Sequence, residues 1–254
     1  MLHTIIHASD GAARPLYFVH GLYGSARNWG AIARALSDRG PVVAVDQRNH
    51  GLSPWFDTHS YEDLASDLAE LIEGRASEPI DILGHSMGGK AAMALALQRP
   101  DLINRMIVAD IAPVSYTHSQ LPYIDAMRAV DLSQITKRSE AEIALRSLVD
   151  DPTLASFFTQ SLDVTQKKWR LNLDVLSKDM PNIMSFPDLS GPCTLPTLFL
   201  TGGDSDYVMP NHRDTIRALF PKARFVKIPG TGHWLHAEKP HEFEQSVRVW
   251  LNQN

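Results

Sequence analysis

A serine within a glycine-containing pentad has the spacing of an activated nucleophile. Residues 84–88 read Gly-His-Ser-Met-Gly, directly after the apolar run 80–83 and at the start of the Ala/Leu-rich segment 87–98. This order predicts a nucleophile elbow, in which Ser86 takes a strained backbone conformation with positive φ and projects its hydroxyl above the sheet edge. Gly84 and Gly88 are required because strand and helix approach too closely there for a β-carbon. We therefore predict that Ser86 is a catalytic nucleophile.

A serine hydroxyl reacts only when a nearby base takes its proton, and histidine has a suitable pKa for that task. Among the 11 histidines, His233 is the candidate because it lies in the glycine-containing loop 229–233 after the last predicted strand. From that loop a mobile imidazole can reach the C-terminal edge of the sheet. His236 is a weaker alternative because it adjoins the final helix, and we expect His20 and His50 to make structural hydrogen bonds in their loops.

Acyl transfer also creates an oxyanion, which two backbone N–H groups must stabilise. Met87 supplies one N–H directly after the nucleophile, at a predicted helix N-terminus where the helix dipole favours negative charge. We expect Leu22, in the loop after the apolar run 16–19, to supply the second. Tyr23 either closes the wall of the substrate pocket or packs against a later part of the chain. His85 is expected to line the site beside the nucleophile.

Two carboxylates could orient the imidazole. Asp206 lies in the loop after the predicted strand 197–200, and Asp110 ends the predicted strand 106–109. Both positions fall at the C-terminal edge of a strand on the side of the nucleophile. The residues alone therefore leave the choice between Asp110 and Asp206 open, whereas Asp204 is adequately explained as a turn residue.

The elements that must position these residues are strands alternating with helices. Apolar runs predict strands at 16–19, 42–45, 80–83, 106–109, 197–200 and 224–228, with a weaker edge strand at 2–6. Helical periodicity fills most of the intervals between them. Such alternation indicates βαβ units and predicts an α/β fold with a mostly parallel central sheet flanked by helices.

Residues 113–190 interrupt this alternation. Ser139 is predicted to cap one helix, a second helix opens near residue 152, and a third covers 174–180. No strand as long as those of the core separates them. We predict a helical cap insertion at 113–190, between the two parts of a core formed by residues 1–112 and 191–254. Phe157, Phe158 and Trp169 are candidates for contacting an acyl chain, although they could equally form the packing core of the insertion.

Composition limits the classes of function. The chain has 254 residues, 24 basic against 29 acidic side chains and a net charge of −5, which does not favour binding to nucleic acid or an anionic membrane. The single cysteine excludes an internal disulfide. Neither a phosphate-binding glycine loop nor metal-ligand spacing is present, so we expect no cofactor and no metal. Without a signal-peptide pattern or an 18-residue apolar run, we expect a cytoplasmic enzyme of undetermined oligomeric state.

Five sequence blocks occur in the order typical of one superfamily. Residues 20–24, 46–53, 84–90, 110–114 and 232–240 read, in turn, His-Gly-Leu-Tyr-Gly, Asp-Gln-Arg-Asn-His-Gly-Leu-Ser, Gly-His-Ser-Met-Gly-Gly-Lys, Asp-Ile-Ala-Pro-Val and Gly-His-Trp-Leu-His-Ala-Glu-Lys-Pro. From about residue 15 to 251 the chain resembles an α/β-hydrolase, and more narrowly the small bacterial esterases of the YbfF type. The resemblance implies a serine esterase or thioesterase that hydrolyses small acyl esters or thioesters through an acyl-enzyme. It also implies Asp110 rather than Asp206 as the triad acid, because that subfamily often lacks an acid in the late loop.

Other functions share this architecture. Haloalkane dehalogenases and epoxide hydrolases place Asp at the elbow, so Ser86 argues against both, whereas a cofactor-free oxidase or perhydrolase is compatible with these residues. A thioesterase acting mainly on acyl-CoA-type substrates is one alternative. A non-catalytic small-molecule receptor on a hydrolase scaffold is another, disfavoured by the intact Ser86, His233 and acid. The acyl chain length and the physiological substrate do not follow from the sequence.

Overall fold

The computed structural model describes residues 1–253, and within them nine strands occur. They are β1 (Thr4–His7), β2 (Leu16–Val19), β3 (Val42–Val45), β4 (Ile80–His85), β5 (Ile103–Ala109), β6 (Leu162–Asp163), β7 (Lys168–Trp169), β8 (Thr197–Gly202) and β9 (Ala223–Ile228). Seven form the central sheet in the order β1-β3-β2-β4-β5-β8-β9, and β6 and β7 form a separate hairpin. In the central sheet β1 pairs antiparallel with β3, whereas the other neighbours pair parallel. The predicted α/β fold with a mostly parallel sheet is confirmed.

Helices cover both faces of this sheet. They are α1 (Gly30–Leu36), α2 (Tyr61–Glu73), α3 (Met87–Gln98), α4 (Leu121–Ala129), α5 (Arg138–Arg146), α6 (Pro152–Thr159), α7 (Leu173–Lys178), α8 (Met180–Met184), α9 (Arg213–Leu219), α10 (Leu235–Glu238) and α11 (Pro240–Leu251). One face of the sheet packs on α2 and α3, and the other on α1 and α11. Strands β2, β3, β4 and β8 are buried at every residue, which explains why most of their side chains are apolar.

Several helix ends differ from the predicted ones. Helix α5 begins at Arg138 rather than after a Ser139 cap, because the carboxylate of Glu140 accepts the N–H groups of Thr136 and Lys137. The helix predicted at 174–180 is instead the pair α7 and α8. Pro181 lies in the first turn of α8 and has no N–H to continue α7.

Between β5 and β8 the chain forms α4 to α8 and the β6–β7 hairpin, and this segment packs on the core. The Ser161 hydroxyl donates to the Tyr23 carbonyl at 2.9 Å, and the Tyr61 hydroxyl donates to the Ile183 carbonyl at 2.7 Å. Because five helices and a short hairpin separate β5 from β8, the strand–helix alternation is interrupted where the sequence indicated. The division into a core and a cap domain at 113–190 stays a prediction.

Every helix among residues 1–253 is too short or too polar to cross a lipid bilayer. Function depends on the C-terminal edge of the sheet, where the six parallel strands β2, β3, β4, β5, β8 and β9 end. In the β4–β5 ladder His85 lies opposite Ala109, so the next residues along each strand, Ser86 and Asp110, emerge at adjacent strand ends. The Ser86 N–H donates to the Ala109 carbonyl and the Asp110 N–H to the Leu200 carbonyl, both at 3.0 Å. These bonds fix both residues to the sheet.

Candidate active site

Ser86 occupies the sharp turn between β4 and α3. Its φ of 52° and ψ of −122° lie outside the usual regions for a residue with a β-carbon, as expected for a nucleophile elbow. A β-carbon on Gly84 would lie 2.2 Å from the carbonyl oxygen of Gly88, and one on Gly88 would lie 2.4 Å from that of Val19. Both glycines are therefore required by the close approach of strand and helix.

His233 lies between Ser86 and Asp110. Its Nε2 is 3.0 Å from the Ser86 Oγ, and its Nδ1 is 2.8 Å from the Asp110 Oδ2. Because a carboxylate only accepts hydrogen bonds, the network assigns the ring proton to Nδ1 and leaves Nε2 free to accept the serine proton. The relative positions of the serine, the imidazole and the carboxylate match those of a serine hydrolase triad.

Asp110 is fully buried and held by three donors. The Gly202 N–H donates to its Oδ1 at 3.0 Å, and both the Ser205 hydroxyl and the His233 Nδ1–H donate to its Oδ2. Its backbone φ of 51° is a further strained conformation at the sheet edge. A buried carboxylate needs such donors to compensate for its lost hydration.

Asp206 takes a different position. It is exposed on the loop after β8, while the Nδ1 of His233 faces Asp110. Asp204 is also exposed, and its N–H donates to the Thr231 carbonyl at 2.9 Å, consistent with a turn residue. Of the two acids that the sequence left open, the structure brings Asp110 to the imidazole. The catalytic role of Asp110 stays a prediction.

Leu22 and Met87 both line the cavity at Ser86. The loop carrying Leu22 runs against Ser86, since a β-carbon on Gly21 would lie 3.0 Å from the His85 Nδ1 and 3.3 Å from the Ser86 β-carbon. Within residues 1–253 neither the Leu22 nor the Met87 N–H has a hydrogen-bond acceptor. Both groups are therefore available to an anion, as the predicted oxyanion hole requires.

The cavity above Ser86 has a volume of about 250 Å³. Its wall combines residues of the core with residues of the segment between β5 and β8: Tyr61, Ile111, Tyr116, Tyr123, Leu154 and Phe158. Tyr23 and Phe158, two of the predicted substrate-binding residues, are in this wall, and their rings meet edge-to-face with centroids 5.5 Å apart. The wall is therefore largely aromatic, and its polar side chains include the tyrosine phenols, Lys90, Gln120 and Asp151.

Three residues predicted to bind substrate lie outside the cavity wall, and their role in binding stays a prediction. His85 is buried beneath the loops, where its ring bonds through Nε2 to the His233 carbonyl at 2.9 Å. Trp169 is buried in the segment between β5 and β8, where its indole N–H donates to the Met127 carbonyl at 3.0 Å. Phe157 packs behind the wall, with its ring centroid 4.4 Å from that of Trp234.

The other histidines have structural contacts. The His20 Nδ1 bonds to the Gly21 carbonyl at 2.8 Å and the His50 Nδ1 to the Arg48 carbonyl at 2.9 Å, as expected. Burial lowers the pKa of both rings, so they stay neutral. His236 stacks on Trp29 at 4.8 Å, away from Ser86, and burial lowers its pKa to about 3.

Sequence reasoning missed Lys90 as a residue of the cavity wall. Its ammonium donates to the carbonyls of Met184 at 3.1 Å and Ser185 at 2.5 Å, and it lies 4.8 Å from the centre of the Tyr116 ring. Burial lowers the pKa of Lys90 to about 7. The signal was its place one helical turn after Ser86, in a helix segment otherwise made of small and apolar residues.

Known proteins identify the class to which this fold and site belong. The profile of the alpha/beta hydrolase family matches residues 16–246, so the chain belongs to that family and the resemblance seen in the sequence is confirmed. Among residues 1–253 no three His, Cys, Asp or Glu side chains are placed to hold a metal ion.

Individual relatives narrow the class further. The chain is 41% identical to the sn-1-specific diacylglycerol lipase ABHD11 of Mus musculus over 95% of its own length and 82% of that protein. It is 37% identical to the esterase YbfF of Escherichia coli, over 94% and 93% of the two chains. A solved marine microorganism esterase is 39% identical over 98% of both chains, with a TM-score of 0.93. These relatives support ester hydrolysis as the activity of this chain.

Proposed function

We propose that this chain is a serine esterase that hydrolyses small acyl esters through an acyl-enzyme on Ser86. The observation that supports the proposal is the continuous set of contacts from the Ser86 Oγ to the His233 Nε2 at 3.0 Å and from the His233 Nδ1 to Asp110 at 2.8 Å. These contacts lie at the floor of a cavity beside two free backbone N–H groups. They match the geometry that acyl transfer by serine requires.

In the first half-reaction His233 accepts the hydroxyl proton as the Ser86 Oγ attacks the acyl carbonyl carbon. The carbonyl oxygen becomes an oxyanion, which the N–H groups of Leu22 and Met87 stabilise. When the tetrahedral intermediate collapses, the carbon–oxygen bond to the alcohol breaks and the imidazolium protonates the leaving alkoxide. Asp110 holds the imidazole in the required tautomer and stabilises its charged form.

In the second half-reaction water attacks the acyl group on Ser86. His233 again takes a proton, now from the water, and returns it to the Ser86 oxygen as the carboxylic acid leaves. The enzyme is regenerated without a metal or cofactor in any step. A thioester follows the same steps with a thiolate as the leaving group, so an acyl-CoA-type thioesterase uses the same residues.

The cavity argues for a small acyl group. Its volume of about 250 Å³ is below the roughly 300–1,000 Å³ of sites for drug-sized ligands. Tyr123, Leu154 and Phe158 close it from the segment 113–190. We therefore propose that this segment acts as a cap over Ser86, and that its cavity-facing side chains set the preferred acyl length.

A panel of substrates tests the proposed activity. p-Nitrophenyl esters from acetate to decanoate, the matching acyl-CoA thioesters and one diacylglycerol are assayed with the wild-type protein, with Ser86→Ala and with the exposed control Ser147→Ala. We expect hydrolysis of short esters by the wild type and the control, and a loss of several orders of magnitude in kcat for Ser86→Ala. If no substrate is hydrolysed faster by the wild type than by Ser86→Ala, the proposal fails and a non-catalytic receptor becomes the better explanation.

A further inference from the structure

The loop after β8 contacts the triad through residues other than its acids. In residues 203–208, the Ser205 hydroxyl donates to Asp110 and accepts the Tyr207 N–H at 3.2 Å. Tyr207 in turn lines the cavity and reaches the imidazole of His233. The loop therefore touches both the carboxylate and the base, although its own Asp206 is exposed.

The phenol ring of Tyr207 lies almost flat on the imidazole of His233. The ring centroids are 3.8 Å apart and the planes are inclined by 19°. Close face-to-face contact is not the preferred arrangement of two neutral aromatic rings, since their electron-rich faces oppose each other. A cation over the same face is attracted to it. This contact therefore favours the imidazolium form, which the base adopts only during acyl transfer.

Besides the bond from its N–H to Ser205, two further hydrogen bonds fix the position of Tyr207. The Tyr116 hydroxyl donates to its backbone carbonyl at 2.7 Å, and its own hydroxyl bonds with the His118 Nε2 at 3.0 Å. The Tyr116 hydroxyl also accepts the Ala112 N–H at 2.9 Å, two residues after Asp110. The backbone and the tip of Tyr207 are both held, so its ring stays on the imidazole without reorganising during the reaction.

We infer that Tyr207 is a positioning residue that stabilises the imidazolium of His233 in the transition state. The inference rests on the proposed function. An interaction that is stronger in the transition state than in the ground state raises kcat. The loop 203–208, in which the sequence suggested an acid, then has a different role. Its Tyr207 contacts the face of the His233 ring, while Asp110 bonds to the edge of that ring at Nδ1.

The two other histidines beside His233 do not place a positive charge next to its ring. Asp110 carries the negative charge at Nδ1, and Ser86 lies at Nε2. The His85 ring lies 4.8 Å from the His233 ring, and burial lowers its pKa well below the ordinary value. Since burial also lowers the pKa of His236 to about 3, both rings remain neutral at the pH values at which the enzyme is assayed.

The pH profile of kcat/KM for p-nitrophenyl acetate tests this inference. Tyr207→Leu removes the ring face, and Tyr207→Phe keeps it while removing the hydroxyl. With Tyr207→Leu we expect the acid limb to move to lower pH by about half to one unit, because the imidazolium loses its stabilising contact. We also expect kcat to fall by about three- to tenfold, because the transition state loses the same stabilisation of the imidazolium that moves the acid limb. Tyr207→Phe should keep the wild-type acid limb.

A second variant covers the case in which Tyr207→Leu does not fold. Tyr207 replaced by pentafluorophenylalanine keeps nearly the shape of the Phe variant but reverses the charge distribution of the ring, so its acid limb should lie below that of Tyr207→Phe. The inference is overturned if Tyr207→Leu and the pentafluorophenylalanine variant both keep the acid limb of Tyr207→Phe and change KM alone, and Tyr207 is then only part of the cavity wall. Failure of the proposed function is distinguishable, because wild-type hydrolysis would then not depend on Ser86.

Discussion

Replacing Asp110 by Asn changes one atom of the site and should remove the base. The Gly202 N–H donates to the Asp110 Oδ1, so the amide oxygen of Asn keeps that position and the amide NH₂ replaces Oδ2. That NH₂ then faces the His233 Nδ1, which donates to Oδ2 in the wild type. Two donors cannot bond to each other. The imidazole must therefore move its proton to Nε2, where it faces the Ser86 Oγ and cannot accept the serine proton.

The expected loss of kcat follows from this change of tautomer. A triad whose histidine is held in the wrong tautomer loses about 10⁴ in kcat, equivalent to about 5.5 kcal/mol of transition-state stabilisation. Asp206→Asn is the matched control, since it makes the same chemical change on an exposed side chain of the late loop. We expect this control to retain nearly the wild-type kcat.

The assay is p-nitrophenyl acetate hydrolysis by the purified variants, with thermal unfolding to verify that each is folded. A folded Asp110→Asn enzyme that keeps a tenth or more of wild-type kcat, as judged against the roughly 10⁴-fold loss expected, would show that Asp110 does not hold the imidazole in its active tautomer. A severe loss of kcat in Asp206→Asn would contradict the assignment of Asp110 as well. Equal partial losses in both variants would mean that the two carboxylates substitute for one another, which also contradicts the assignment of Asp110.

Two further predictions concern the cavity wall. Burial lowers the pKa of Lys90 from 10.5 to about 7. Between these two pH values Lys90 is protonated in the unfolded chain and largely neutral in the folded protein. Its contribution therefore makes the free energy of unfolding rise with pH, by up to about 1.4 kcal/mol per pH unit. Denaturant unfolding should therefore show the wild type gaining stability relative to Lys90→Met from pH 7 to 9, and a constant difference would contradict the prediction. Phe158→Leu should raise the ratio of kcat/KM for longer over shorter acyl esters several-fold, at about 1 kcal/mol or more for each accommodated methylene. The matched control Phe157→Leu, behind the wall, should change this ratio less. Equal changes of the ratio in the two variants would show that Phe158 does not determine the preferred acyl length.

The sequence was sufficient to predict the elements that place Ser86 and His233. The apolar runs of buried parallel strands and the punctuating glycines are local signals, so the elbow at Ser86 and the mostly parallel sheet were predictable. The choice between Asp110 and Asp206 depended on the conformation of the loop 203–208. Spacing alone does not determine that conformation, and the resemblance to esterases was needed to favour Asp110.

The cavity wall was less predictable for a physical reason. Phe157 and Phe158 are neighbours on α6, and successive residues of a helix point about 100° apart, so only one of them faces the cavity. Which one faces it depends on how α6 packs on the core, through contacts distant in sequence. Lys90 was missed because lysine is rarely buried without a charged partner, whereas here two backbone carbonyls and an aromatic ring surround its ammonium.

The proposed mechanism requires that ester hydrolysis proceed through a covalent bond to Ser86. The most direct measurement is titration of the wild-type enzyme with a fluorophosphonate, with peptide mass spectrometry to find the modified residue and hydrolysis of p-nitrophenyl acetate followed in parallel. The proposal predicts that activity falls in proportion to labelling, that the label is on Ser86, and that a competing ester slows both. Full activity with Ser86 completely labelled, or inactivation with the label on another residue, would contradict it.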